Sequence, residues 1–329
     1  MNRGMVRGFA VLLIAAMTVV MLQGCARYEN EREGFHMDTF VRITVYDDKD
    51  QSQALDKAME LCRHYDRLFG RDTSGSDVWR INHAQGSPTQ VSDETAELIL
   101  LGLEYSKRSG GLFDITCGAV TEQWDFSAVE PTVPDEQSLL DAVKTVGWQQ
   151  VVVEENSVTV PSGVKLDLGG IAKGYIADKI AQSLRENGVE SAVIDLGGNI
   201  YALGRKNGKP FSIAVQSPYA QSEYIAVLKL NDKSVVTAGK YERCFELDGK
   251  SYHHILDLKT GMPAENDVSA VTILSDSSAQ GDALSTTCLL LGKEKAVELI
   301  ENTDGAEAII AMTNGDVVYT SGASQWLNN

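Results

Sequence analysis

Positive charge is scarce in this chain. Its 329 residues hold 29 Lys and Arg against 46 Asp and Glu, a formal net charge of −17. A nucleic-acid binder needs a basic footprint, and no excess of cations exists to supply one. Attraction to anionic lipid is excluded as a means of attachment for the same reason. Metal spacings of the common zinc kind are missing too. The cysteines Cys25, Cys62, Cys117, Cys244 and Cys288 form no CxxC pair, and no HxxxH occurs, so a zinc site has no support. Cys62 and Cys288 fall on apolar helical faces and read as core residues. The glycine-rich stretches include neither a Rossmann fingerprint nor a Walker A loop, which takes weight from hydride transfer and nucleoside-triphosphate hydrolysis.

One apolar run stands apart from folded sequence. Arg3 and Arg7 precede Phe9 to Leu22, and Leu22-Gln23-Gly24-Cys25 comes next. This order reads as a signal peptide over residues 1–24. The four residues ending at Cys25 resemble a bacterial lipobox, which implies cleavage before Cys25 and diacylglycerol on its thiol. The plain alternative is an uncleaved anchor helix. On either reading the folded part sits on the extracytoplasmic face of a bacterial cell membrane, and several acyl chains hold firmly at about 0.8 kcal/mol per buried methylene. Cleavage removes two arginines and no acids, so the mature chain is more acidic still. Any anionic substrate then needs a local offset, and a bound divalent cation is one.

Residues 25–34 are polar and read as a tether. Thr39–Tyr46 has a strand pattern, and 51–69 has a helical one through Leu55, Ala58, Leu61, Cys62, Tyr65 and Leu68. Residues 70–90 look loop-rich. Ser92 caps a helix that ends at Gly110. Strand signals come at 149–153, 157–160 and 164–168, then a helix over 171–187 and a strand over 191–196. The stretch 200–275 reads as mostly β, with turns at Asn207-Gly208 and Asp248-Gly249. Helices over 278–291 and 293–302 precede a hairpin through Asn314-Gly315. Hairpins outnumber strand–helix–strand units, which predicts an α+β fold, mixed sheets with flanking helices, rather than a doubly wound one. About 300 residues suffice for one compact body or two intimate lobes.

Several clusters carry chemistry. Asp282 and Thr286 lie one turn apart on one helix face. Carboxylate and hydroxyl oxygens are the hard ligands magnesium takes, although Asp and Ser/Thr also favour helix starts for plain capping reasons. Lys165-Leu166-Asp167-Leu168-Gly169-Gly170 and Val193-Ile194-Asp195-Leu196-Gly197-Gly198 echo each other as strand-Asp-Leu-Gly-Gly. The first copy leads through Lys173 into a helix, the arrangement that binds anions. Glycines there also suit tight strand-to-helix packing. His253 and His254 are adjacent in a strand, so one faces a site while the other packs or meets solvent. Arg243 can grip a phosphate with both arms, or pair with Glu242 or Glu246. Gly110-Gly111-Leu112-Phe113-Asp114 joins apolar groups to exposed backbone, fit for a flat ring or for an ordinary buried corner.

Taken in order, Met37-Asp38-Thr39, Phe113-Asp114-Ile115-Thr116, Leu166 to Tyr175, Asp195 to Asn199, Tyr241-Glu242-Arg243, His254-Ile255-Leu256-Asp257 with Thr260-Gly261, and Asp282-Ala283-Leu284 with Thr286 resemble the ApbE family. Its members are flavin transferases that move FMN from FAD onto a protein threonine. The resemblance runs over nearly the whole mature chain and implies one transferase domain, 35–325, with a T-fold-related body. It implies magnesium on Asp282, Thr286 and the carbonyl of Gly170. It implies FAD contacts at Met37, Leu112, Phe113, Asp114, Asp167, Lys173 and Ile255, with Arg243 beside them. His254 resembles the base that prepares the acceptor hydroxyl. Ser285 stands where some relatives carry an acid, Leu258 replaces a proline, Ala238 replaces a serine, and the 70–77 loop lacks a tyrosine. The acceptors implied are subunits of membrane redox pumps of the Rnf or sodium-translocating type. An FAD pyrophosphatase and a noncatalytic flavin-binding lipoprotein are the rival readings.

Overall fold

An eight-stranded sheet organises the molecule. The computed structural model describes residues 30–328 apart from Gln221; the signal peptide, Cys25 and the first residues of the tether lie outside that range. β1 (Glu31–His36) and β2 (Thr39–Val45) open the chain as a hairpin. Residues 31–34, expected in the tether, are therefore strand: alternating Glu31, Glu33 and Phe35 keep one face in solvent while the backbone pairs with β2. α1 (Ser52–Phe69) is next, then α2 (Asp77–His83), β3 (Thr89–Gln90) and α3 (Asp93–Arg108). α4 (Gly118–Thr121), α5 (Glu136–Val143), β4 (Val152–Glu154) and β5 (Ser157–Thr159) form a smaller region. α6 (Ala172–Glu186) leads into β6 (Ser191–Leu196), β7 (Asn199–Gly204), β8 (Phe211–Gln216), β9 (Tyr224–Leu230) and β10 (Lys233–Gly239). The hairpin β11 (Cys244–Leu247) and β12 (Lys250–His253) precedes β13 (Val268–Ser275), α7 (Ser278–Leu291), α8 (Lys293–Glu301), β14 (Ala306–Met312) and β15 (Val317–Tyr319).

The main sheet runs β1-β2-β6-β7-β10-β13-β14-β15, and every neighbouring pair is antiparallel. The α+β class expected from hairpin counting is the one formed. Helices cover one face. Val41, Ile43, Ile194, Val271 and Ile273 pack there against Leu55, Ile176, Ile180, Ala283 and Leu284. The β8–β9 hairpin covers part of the other face, where Phe211, Ile213 and Leu228 meet Val235, Leu274 and Ile309. A third apolar cluster, with Trp124, Leu139 and Leu256, holds the smaller region together.

Two expectations inside the chain change. The 70–90 stretch contains α2, which Ser76 caps by accepting the Trp79 N–H at 2.9 Å. Residues 164–168 form no strand. Leu166 instead bonds its N–H and carbonyl to the side-chain amide of Asn82, at 2.7 and 2.9 Å. An amide offers one donor and one acceptor, as a neighbouring strand residue does, so an extended segment is satisfied without a sheet.

Candidate active site

The β1–β2 and β6–β7 turns lie together at one end of the sheet, where a Cβ on Gly197 would come within 1.8 Å of Thr39 Oγ1. α6 begins there. The N–H groups of Ile171 and Ala172 both bond to the Leu168 carbonyl, at 3.0 and 2.8 Å, and start the helix. A regular helix would next carry the Gly174 N–H back to Gly170, four residues earlier. It goes instead to Asp282 Oδ2 on α7, at 2.9 Å. Among the described residues no hydrogen bond ends on the Gly170 carbonyl. Gly174 is what lets the helices approach: a Cβ there would sit 2.3 Å from the Ser278 carbonyl oxygen.

Asp282 is buried. Burial pushes its carboxyl above the usual range, opposed by Lys173 and by the Gly174 N–H. Its other oxygen makes no hydrogen bond to the described residues. Thr286 is half-buried, and its hydroxyl makes none either. Ser285 Oγ donates to the Asp282 carbonyl at 2.9 Å and is occupied. No group of three His, Cys, Asp or Glu fit for a metal occurs among the described residues. The donors present are one carboxylate oxygen, one hydroxyl and one peptide carbonyl, all hard and uncommitted. That set fits magnesium, which keeps several waters or phosphate oxygens in its shell.

α7 is itself held from α6. Asp178, which carries no motif in the sequence, accepts the Ser278 N–H at 2.7 Å, the Ala279 N–H at 3.0 Å and Ser277 Oγ at 2.7 Å. The two N–H groups are orphan donors of a helix start, so this N-terminus is filled by protein. Ser278 Oγ donates to Asn199 Oδ1 at 2.6 Å and accepts from Ser234 Oγ at 2.9 Å. A polar residue among Ile176, Ala177, Ile180 and Ala181 was the available signal for Asp178.

The histidines meet different surroundings. His253 is buried beside Lys240; burial first, then that ammonium, push it down to about 4. His254 is also pushed to about 4, by burial first, then by Arg243, Lys173 and His253. Its imidazole is therefore neutral at pH 7. Its backbone N–H bonds the Arg243 carbonyl at 3.0 Å, and its Nδ1 is buried without a partner. Glu242 belongs to the same cluster: burial pushes its carboxyl up, against the pull of Lys173 and Arg243. Arg243 makes no ion pair with Glu242 or Glu246, and neither Arg243 nor Lys173 has a salt-bridge partner among the described residues. Both cations act on His254 and on Glu242, so positive charge without a salt bridge is gathered in this cluster.

The remaining expected residues are dispersed or turned. Asp114 is buried and accepts the Thr116 N–H at 2.9 Å, Thr116 Oγ1 at 2.7 Å and the Trp148 N–H at 3.0 Å. Its carboxylate stabilises its own corner. The Phe113 ring is buried under the glycine turn, where a Cβ on Gly170 would meet Cε2 at 2.8 Å. Leu112 lines a crevice of about 290 Å³ with Gly111, Asp257, Lys259 and Lys295. Met37 is in the β1–β2 turn at φ 52°, its N–H directed to Asp66 Oδ1 at 3.3 Å. Ile255 is buried in the main core. Asp167 accepts from Arg71 Nη1 at 2.7 Å, Thr121 Oγ1 at 2.8 Å and the Gly169 N–H at 2.8 Å. Arg71 carries no sequence signal of this role, because the contact joins segments 96 residues apart.

The model of the ApbE family matches residues 37–310. The chain is 34% identical to the FAD:protein FMN transferase of Treponema pallidum (strain Nichols), over 89% of this chain and 87% of that one. It is 35% identical to an FAD:protein FMN transferase of Klebsiella pneumoniae (strain 342), over 80% and 84%. The solved ApbE protein from Thermotoga maritima superposes with a TM-score of 0.85 at 32% identity, covering 91% of this chain and 99% of that one. The flavin transferase ApbE from Vibrio cholerae gives 0.81 at 25% identity, covering 90% and 98%. With its model matching residues 37–310 and relatives at 34% and 35% identity over most of the sequence, this chain belongs to the ApbE family.

Proposed function

We propose that this protein transfers FMN from FAD to a threonine or serine hydroxyl of an acceptor protein, releasing AMP, with magnesium required. One observation carries the reading: Asp282 takes the Gly174 N–H and leaves the Gly170 carbonyl open, so a cation seat and a helix N-terminus are built side by side. The diphosphate of FAD is drawn by Lys173, Arg243 and the first turn of α6. Asp282, Thr286 and the Gly170 carbonyl would hold magnesium, whose charge offsets that developing on the phosphates. The acceptor oxygen attacks the FMN phosphorus, the bond to the AMP phosphate oxygen breaks, and the hydroxyl proton passes to the neutral ring of His254. Burial, Arg243 and Lys173 keep that imidazole unprotonated in the resting site.

The acceptors proposed are subunits of Rnf-type or sodium-translocating membrane redox pumps, and the enzyme is proposed to reach them from a lipid anchor at Cys25. Incubation with FAD, magnesium and such a subunit, followed by mass spectrometry, tests the reading. The acceptor should gain the mass of a phosphoester-linked FMN as AMP appears. Free FMN with AMP and an unmodified acceptor would make the protein a hydrolase; unchanged FAD would make it a binder. Cys25→Ser should leave the activity intact and release the protein from membranes, and a variant that stays bound after signal cleavage would refute the anchor.

A further inference from the structure

The loop at 70–76 carries no recognised motif, yet one of its side chains enters the site. The loop is closed on itself by Ser76 Oγ donating to the Gly70 carbonyl at 2.6 Å and by the Thr73 N–H reaching the same oxygen at 3.2 Å. Arg71 extends from it. Three segments converge on the Asp167 carboxylate: Arg71 from the loop, Thr121 from α4, and Gly169 from the turn that Asp167 itself begins. The outer arm of Arg71 rests on Asp72 at 3.2 Å, and that carboxylate is mostly in solvent.

We propose that Arg71 is a positioning residue for FAD, acting through Asp167 on the glycine turn that presents the Gly170 carbonyl and Lys173. The inference rests on the transferase reading. Two observations separate this contact from an ordinary surface ion pair. Arg71 and Asp167 are only 23% and 19% exposed, so the pair is largely withdrawn from solvent. Arg71 Nε is buried without any partner, a cost that a pair kept for stability alone has no reason to carry. The route to the ligand is short. One oxygen of Asp167 is held by Arg71 and Thr121, and the other holds the Gly169 N–H. Residue 170 comes next, and α6 starts at 172. Loss of the guanidinium leaves only the neutral Thr121 hydroxyl to fix the carboxylate from outside the turn, and the turn loses its register with Asp282.

The test is equilibrium binding of FAD, read by flavin fluorescence, on wild type, Arg71→Met, Arg71→Lys and Thr121→Val, alongside thermal melts. Arg71→Met should weaken FAD binding by about tenfold, the scale of a charge-assisted bond, while its melting temperature stays near that of wild type. Arg71→Lys should fall between, because an ammonium restores the charge but not the fork. Thr121→Val should be milder than either. Equal FAD affinity in wild type and Arg71→Met, or a fall in melting temperature with affinity intact, would overturn the proposal and leave the functional reading standing. A wild type that does not bind FAD would overturn both. If Arg71→Met fails to fold, the order of the lysine and valine variants decides the same question.

Discussion

The turns Asp167-Leu168-Gly169-Gly170 and Asp195-Leu196-Gly197-Gly198 share four residues, and in each the aspartate accepts a glycine N–H, from Gly169 at 2.8 Å and from Gly198 at 2.9 Å. They differ in why glycine is needed. Gly197 and Gly198 have φ of +65° and +89°, and they close the tight β6–β7 hairpin. Gly169 and Gly170 have no positive φ. Gly170 is small because the Phe113 ring lies against it. One turn feeds a helix whose Gly174 N–H is taken by Asp282, and the Gly170 carbonyl is left without a hydrogen bond among the described residues. The other feeds Asn199, which bonds inward to Ser278 and steadies α7. On the proposed function the same four residues are chemistry in one place and scaffolding in the other, and the element each turn leads into decides which.

The sharpest way to break this contrast is at the partner of the first turn. Asp282→Ala should lower turnover by roughly a thousandfold or more, since metal stabilisation of transition-state charge is worth several kcal/mol. The fold should survive, because a buried carboxylate held by one N–H is a weak contributor to stability. Steady-state rates and a melting curve check both halves, and wild-type turnover at low magnesium would defeat the metal assignment.

His254→Ala should slow transfer by roughly 10²–10⁴-fold, the range for a lost general base, with FAD affinity nearly unchanged. His253→Ala should be far milder, because its ring faces Lys240 rather than the cleft cations. If the roles came out reversed, the facing of the two rings would be wrong.

The two turns can be compared directly. Gly170→Ala pushes a methyl into Phe113 and displaces the open carbonyl, and misplacement near 1 Å can cost about a hundredfold in rate. Gly198→Ala meets no atom within 4 Å. It should cost about 1 kcal/mol of stability for its positive φ and leave kcat alone. Equal losses of activity would show that the second turn is also part of the site.

The smallest effect is in pH. Both histidines are pushed down to about 4 from an ordinary 6.5. Between those values the unfolded chain binds more protons, so their contribution to stability is present above pH 6.5 and is lost as the pH falls towards 4. Asp114, Asp178, Glu242 and Asp282 are pushed up and work in the opposite sense. Melting temperature measured over pH 4–6.5 should therefore depend less steeply on pH in His253→Gln than in wild type.

Much of the fold is legible in the sequence. α7 runs over the predicted 278–291, because Ser277 caps its start and Gly292 ends its apolar pattern. The unforeseen α2 is seven residues long between glycines, too short for a periodic signal. The false strand at 164–168 had the right pattern, but its partner is the amide of Asn82, which no local pattern reveals. The site divides likewise. Residues with local motifs, such as Asp282, Thr286, Lys173 and His254, could be named in advance. Arg71 and Asp178 matter through neighbours far along the chain.

The bond from the Gly174 N–H to Asp282 has a mechanical consequence. A helix start and the side chain of another helix are tied at a single atom, with no methyl between the backbones to act as a spacer. On the proposed reading, the seat for the cation and the seat for the phosphates then share one degree of freedom. Sequence drift that improves one must carry the other along.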